Sequence, residues 1–237
     1  MKRIEIPIIK SDNSLVELPQ KQVKTNNEDG SINYDRVLKM GRIWCIFFND
    51  WHFAESELEY LQAEYNLEYS ALNREKLKDL LIEDVATTFN CNLDEITYNI
   101  DKLKENPDRY VVFLGNLKYA NKYSKLKYVS GNIESFGIQI KEEYFSSLEI
   151  IGGSAGFFEL RSAESLTNLE YIGGTAHFGY LTDGNGLENL KYIGGIAEFP
   201  SLKDPSSLPN LEYVGDLEKS YIPTNIKTRV RKKQRSN

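Results

Sequence analysis

The sequence predicts a mixed α+β fold: a small N-terminal α/β unit, then a short solenoid of about five 21-residue coils and a disordered basic tail. Three observations predict it. Leucines recur at steps of 21 or 22 residues, conventional helix and strand signals precede this repeat, and cations accumulate at the C-terminus. The predicted boundaries are residues 1–109, 110–222 and 223–237.

The N-terminal unit is predicted from short alternating and helical apolar patterns. Ile4, Ile6 and Ile8 alternate with Glu5 and Pro7, which is typical of an edge strand because proline cannot donate to a ladder. Capping residues and apolar stripes predict the helices that follow. In chain order, the further predicted elements are a loop at 26–31, a buried strand at 43–48, helices at about 56–72 and 74–89, and a third helix from a cap at Asn92 to just before Pro107.

The solenoid is predicted from five copies of one apolar pattern, each with an apolar residue three positions before and after a leucine. The leucines are Leu126, Leu148, Leu169, Leu190 and Leu211. The central copies continue as Gly-Gly-x-Ala-x-Phe, in which the glycines are expected to permit a sharp corner with unusual backbone angles. Ala-x-Phe is typical of a short strand with one buried face. A single coil cannot bury its apolar side, so we expect stacked coils with a continuous core.

This spacing resembles bacterial and phage-borne leucine-rich repeat proteins, whose units read L-x-x-L-x-x-V-G-G-x-L-x-L. More distantly, it resembles the right-handed β-helical L domains of receptors. The resemblance covers roughly residues 110–217 and implies protein recognition, through a scaffold that serves many unrelated partners. The chain departs from that unit by its Ala and by the Phe two residues later, which we expect to alter the cross-section without opening an active site.

Composition narrows the class of protein. Hydrophobic residues make up 41% and charged residues 27% of the chain, an ordinary globular balance. No stretch approaches the roughly 18 apolar residues of a membrane span. The apolar stretch that follows the first residues is too short for a signal peptide. The two cysteines, Cys45 and Cys91, indicate neither a disulfide framework nor a zinc site. These features predict a cytoplasmic protein without a cofactor, metal or membrane contact.

Charge is unevenly distributed along the chain. The whole chain carries −6, but the six cations after residue 226 leave −12 on residues 1–226. The tail therefore either contacts nucleic acid or an acidic protein, or is a solvated, disordered terminus. Residues 83–105 have the rhythm of a helix-turn-helix, although Asp94 and Glu95 at the start of the second helix would repel phosphates. A nucleic-acid-associated regulator using both segments is the alternative function.

No catalytic constellation is evident, because the only histidines, His52 and His177, have no nucleophile beside them in sequence. We expect no enzyme activity and no small-molecule substrate. His177 lies between Ala176 and Phe178, at an outward position. The candidate partner-binding residues are tyrosines that recur at one repeat position and the acids that flank this position. They are Tyr128, Tyr171, Tyr192, Tyr213, Glu149, Glu170 and Glu212.

The tyrosines either contact a partner, for which tyrosine is well suited, or only stack to support the solenoid. The leading hypothesis is a protein-protein interaction module. One lateral face of the solenoid has an area of about 500 Å², less than the roughly 800 Å² that each partner buries in a standard interface. We therefore expect the N-terminal unit to contribute to the binding surface. A specific version is an acidic inhibitor that occludes the basic groove of a nucleic-acid enzyme, as phage counter-defence proteins do.

Overall fold

The computed structural model describes residues 7–9, 15–17, 33, 74–118, 122–135, 144–204 and 206–234. The chain divides into two compact units, Met1–Leu93 and Asp94–Asn237. The predicted loop at 26–31, the strand at 43–48 and the helix at 56–72 lie outside the described residues.

In the first unit, strands β1 (Pro7–Ile9) and β2 (Leu15–Glu17) form an antiparallel pair. Helix α1 spans Arg74–Thr88, which confirms the prediction of a helix in this region. Leu81 and Val85, four positions apart, are fully buried on this helix. Asn90 follows the helix end with φ 47°, a left-handed conformation that asparagine tolerates better than most residues.

The second unit is a parallel β-solenoid of about four turns with a spacing near 21 residues. Its strands alternate between two parallel sheets, so each turn of chain contributes to both. The first sheet contains β3 (Ile96–Thr97), β4 (Val112–Phe113), β6 (Tyr128–Val129), β8 (Ile150–Ile151), β10 (Tyr171–Ile172), β12 (Tyr192–Ile193) and β14 (Tyr213–Val214). The second contains β5 (Leu117–Lys118), β7 (Ile133–Ser135), β9 (Ala155–Phe157), β11 (Ala176–His177) and β13 (Ala197–Glu198).

The repeat register is confirmed residue by residue. Tyr171 pairs with Tyr192 and Tyr192 with Tyr213 in the first sheet, while Ala176 pairs with Ala197 in the second. The five sequence copies make four steps of 21 or 22 residues, and shorter steps of 16 residues extend the first sheet back to β3. This sheet therefore begins ahead of residue 110.

One continuous core fills the solenoid. It contains the leucines and the Ala and Phe positions of the repeat, all buried. Phenylalanines stack along its axis, with ring centroids 5.3 Å apart for Phe157 and Phe178 and 4.7 Å apart for Phe178 and Phe199. Asparagines brace successive coils from outside, because the side chains of Asn168, Asn189 and Asn210 donate to carbonyls one coil earlier.

The role predicted for the glycine pairs was wrong in its mechanism. Among the described glycines only Gly115 and Gly186 have positive φ, so the repeat glycines do not need unusual backbone angles. They are required by close stacking instead. A Cβ at Gly194 would lie 2.1 Å from the Gly173 carbonyl oxygen, and one at Gly215 would lie 2.0 Å from that of Gly194.

A long third helix was also predicted, from a cap at Asn92 to just before Pro107, and this was wrong. The segment forms a 3₁₀ turn at Leu93–Glu95, strand β3 and a short helix α2 at Ile100–Glu105. Ile96 and Thr97 extend because they pair with β4. Asn99 then starts the helix, since its side-chain oxygen accepts from the backbone N–H groups of Asp101 and Lys102.

The described part of the basic tail, up to residue 234, is helical where disorder was predicted. Helix α3 spans Thr224–Gln234, and its Ile226 and Val230 are buried in the solenoid core. These two residues are four positions apart, so they lie on one helical face that covers the apolar end of the last coil. The prediction failed because it weighed the cations of this segment and not the two aliphatic residues between them.

Candidate functional site

The predicted tyrosines lie on the outer side of the first sheet, in one row with Ile150. Tyr171, Tyr192 and Tyr213 form a continuous stack, with ring centroids 4.1 Å and 4.5 Å apart and ring planes within 8° of parallel. Ile150 separates Tyr128 from this stack. The coil register therefore brings three of the four tyrosines together.

Exposure changes along this row. Tyr128 and Tyr171 are buried, Tyr192 is half-buried, and Tyr213 is 38% exposed. Only the C-terminal part of the row, Tyr192 and Tyr213, therefore offers aromatic surface to another molecule.

The three predicted glutamates each have a lysine partner. Nζ–Oε distances are 3.0 Å for Lys127 with Glu149, and 2.9 Å for Lys191 with Glu170. Lys233 of α3 lies 3.6 Å from Glu212. These acids thus form partly exposed ion pairs with groups of the same unit, which contribute little stability but neutralise the edge of the tyrosine row.

The cations of α3 contact the last coils. Arg229 donates to the carbonyls of Ser207 and Leu208 at 2.9 Å and 2.5 Å, and Leu208 has a left-handed φ of 54° that these bonds hold in place. Lys227 donates to the Glu218 carbonyl, and Arg231 pairs with the Glu218 carboxylate. The helix is thus fixed to the solenoid by its charges as well as by its apolar face.

The outer side of the second sheet carries a surface that the sequence reading missed. Gly156, His177, Glu198 and Tyr221 follow one another in register across four coils. The Phe158 ring lies over Gly156, whose Cβ would meet it at 2.7 Å, and packs 4.4 Å from the His177 ring. His177 Nδ1 lies 2.5 Å from Glu198 Oε2. His177 is therefore at the outward position predicted for it, within a small aromatic cluster.

Two strongly exposed tyrosines belong to the same coils, Tyr180 in the turn three residues after His177 and Tyr221 as the bridge partner of Glu198. Tyr180 is 54% exposed and lies under the guanidinium of Arg161, whose Cζ is 5.5 Å from the ring centroid. Tyr221 is 68% exposed at the end of the row. We define Phe158, His177, Tyr180, Glu198 and Tyr221 as the aromatic face.

A signal for this face exists in the sequence, as a departure from the repeat. Tyr180 occupies the position of Glu159 and Ser201 in neighbouring copies, and Phe158 that of Gly179 and Pro200. Positions that recur form the core, because every coil must bury the same side. A large aromatic residue at a position that does not recur is typical of the surface instead.

An open cavity of about 450 Å³ lies beside α2 and is lined by Tyr98, Lys102, Glu105 and Arg109, among others. Arg109 lies 2.9 Å from Asp94, and both side chains are more than half exposed. The lining mixes both signs of charge, and its buried Thr97 already accepts a hydrogen bond from the Asn99 backbone. It has the character of a surface cleft.

The described residues contain no group of three His, Cys, Asp or Glu side chains that could hold a metal ion. None of the helices in this part of the chain has the length and apolar character that a bilayer span requires.

The pKa of Asp204 is held below its ordinary value by hydrogen bonds from the backbone and hydroxyl of Ser206, within a surface turn.

Comparison of the chain with protein-family models, with curated proteins and with solved structures found no match. The solenoid and its 21-residue spacing are established by the structure, while membership of the leucine-rich repeat family and a bacterial or phage origin remain predictions.

Proposed function

We propose that this chain is a non-enzymatic protein-binding module and that the aromatic face is its contact surface. The observation that carries the proposal is the exposure of Tyr180 and Tyr221, 54% and 68%, in the coils whose strands present the Phe158–His177 ring pair and Glu198. Exposed apolar surface on a rigid scaffold is typical of interaction sites. Tyrosine is also enriched among residues that dominate binding energy.

The scaffold supports this role because it holds the face in one conformation. Parallel strands fix the spacing of His177 and Glu198, and the Phe158 ring is packed against its neighbour. A surface that is ordered before binding loses little entropy on association. The predicted row contributes Tyr192 and Tyr213 as a second contact area, next to the neutralised Glu170 and Glu212.

The partner that suits this chain best is a protein with a basic surface, since the whole chain carries −6. The acidic inhibitor of a nucleic-acid enzyme is the specific form of this proposal. The alternative, direct nucleic-acid binding through the tail and residues 83–105, has less support. Lys227, Arg229 and Arg231 have acceptors on the last coils, and α1 is followed by a strand where the alternative needs a recognition helix.

The test is an affinity pull-down from native host lysate, with and without nuclease, using the full chain. We expect a protein recovered in near-stoichiometric amount from the wild type, indifferent to nuclease, and lost from the double variant Tyr180→Ala with Tyr221→Ala. Tyr98→Ala removes a tyrosine that is 56% exposed near α2 and serves as the matched control, with recovery unchanged.

Tyr213→Ala tests the predicted tyrosine row in the same experiment, and loss of the partner from this variant alone would move the contact surface to the first sheet. Equal recovery by all variants would refute both surfaces. Recovery of nucleic acid that nuclease abolishes would favour the alternative function.

A further inference from the structure

The end of the aromatic face combines an acid and an aromatic ring in adjacent coils. Glu198 and Tyr221 are bridge partners in parallel register, so their backbones are about 4.8 Å apart. Tyr221 is 68% exposed, and the Glu198 side chain is about one-third exposed. A planar cation lying on the ring would thus reach the carboxylate.

The aromatic face already contains one cation that lies on a tyrosine ring. Arg161 lies over Tyr180, with Cζ 5.5 Å from the ring centroid. Within the described residues, no arginine or lysine occupies the equivalent place over Tyr221. Among the residues that the structure describes, the hydrogen bond of the Glu198 carboxylate joins its Oε2 to His177.

Glu198, the bridge partner of Tyr221, has no lysine beside it in the described part of the outward row of the second sheet. The outward row of the second sheet contains Glu134 and Glu198, and its one lysine among the described positions, Lys118, lies at the opposite end, 3.9 Å from Glu134. Arginine suits the Tyr221 ring and the Glu198 carboxylate better than lysine does. Its flat guanidinium can stack on the ring while its N–H groups donate to the carboxylate.

We propose that Glu198 and Tyr221 bind an arginine side chain of the partner protein. This inference rests on the proposed function and specifies which chemistry the aromatic face recognises. It predicts that the partner's contact segment contains an arginine at its centre, and that lysine or a neutral isostere at that position binds more weakly.

The test is an NMR titration of the ¹⁵N-labelled full chain with Nα-acetyl-arginine amide, using the citrulline and lysine derivatives as matched probes. Citrulline keeps the shape of arginine and removes its charge. We expect arginine to shift the amide signals of Glu198 and Tyr221 with weak, saturable affinity. Tyr221→Ala and Glu198→Gln should each weaken it about two- to five-fold, the range for an exposed cation–π or ionic contact. Tyr98→Ala should leave it unchanged.

Equal shifts with arginine and citrulline, or an arginine affinity that neither variant alters, would overturn the inference. The wild-type and variant spectra also report whether each variant is folded. If the double variant loses the partner in the pull-down while the arginine titration gives no saturable shift, the arginine inference fails and the binding module stands. If the pull-down yields no partner while arginine binds at these residues, the proposed function fails.

Discussion

Two aromatic ladders run through the solenoid at the same 21-residue spacing, one inside and one outside. The inner ladder stacks Phe157, Phe178 and Phe199, none more than 1% exposed. The outer ladder is the stack of three tyrosines, whose exposure rises from 3% at Tyr171 to 38% at Tyr213. Equal periodicity therefore produces rows with very different access to solvent.

The difference follows from the position of each ladder within its strand. Successive side chains of a strand point to opposite faces, so a residue beside an inward isoleucine must point outward. The inner ladder cannot change its burial without opening the core. The outer ladder can vary from coil to coil, and variation of this kind is what allows a repeat scaffold to carry a specific contact surface.

The substitution with the largest expected effect is Phe178→Ala, in the inner ladder. Its ring is fully buried between Phe157 and Phe199, so its removal leaves a cavity that the stacked coils cannot close. We expect the free energy of unfolding, measured by urea denaturation, to fall by about 3–5 kcal/mol. Phe178→Leu is the control and should cost less than about 1.5 kcal/mol. A loss below that value for alanine would show that the inner ladder is not continuous core.

The second test concerns the corner between the two sheets. A methyl group at Gly194 would lie 2.1 Å from the Gly173 carbonyl oxygen, a backbone atom that cannot rotate away as a side chain could. We expect Gly194→Ala to lower the free energy of unfolding by roughly 1–3 kcal/mol, as overpacking does. Thr182→Ala, at an exposed position of the preceding coil, should change it by less than about 0.5 kcal/mol. Equal values for the two would contradict close stacking as the reason for glycine.

The outer ladder is tested by Tyr192→Ala, which removes the middle ring of the tyrosine stack. Tyr192 is half-buried and has a stacked neighbour on each side, so we expect a loss of about 1 kcal/mol in thermal or urea unfolding. This is smaller than the loss expected for Phe178→Ala. A cost equal to that of Phe178→Ala would mean that the outer ladder belongs to the core, which would end the distinction between the two.

The smallest effect is expected at Asp216, in the turn after the last coil of the outer ladder. Hydrogen bonding from the side chain of Lys219, then from its backbone N–H, lowers the pKa of Asp216 below its ordinary 3.8. A lowered folded-state pKa contributes stability above the unfolded pKa and loses it as pH falls through the folded value. Unfolding at pH 6 should therefore show a slight loss for Asp216→Asn that vanishes near pH 2. A loss that persists unchanged at that pH would exclude the ionised carboxylate as its cause.

The sequence was sufficient for the repeat and insufficient for both its ends. Leucines at 21-residue steps predict which residues meet, because stacked coils place equivalent positions in contact. The two ends of the solenoid depend on single contacts that do not recur along the sequence. Ile96 and Thr97 are drawn into a strand by β4, and Ile226 and Val230 into the core by the open last coil. Local patterns favoured a longer helix for the first pair and a solvated tail for the second.

For the candidate site, the sequence predicted that the tyrosines would share one row. It could not predict which of them would be exposed. Tyr128 and Tyr213 are equivalent in the repeat, yet one is buried and the other 38% exposed. The aromatic face was missed because Phe158, Tyr180 and Tyr221 do not recur, and each meets its neighbour from another coil, His177, Arg161 or Glu198, only when the coils stack.

By itself, the sequence determined the solenoid, its period and its inner ladder, since burial of one side of every coil imposes the same apolar residues on every copy. The tertiary structure alone decided the rest. It turned the charged terminus into the helix that closes the last coil, gave the glycine pairs their role through backbone contact between coils, and brought Glu198 beside Tyr221. Those contacts join residues about one coil or more apart through shape and burial, which no local pattern encodes.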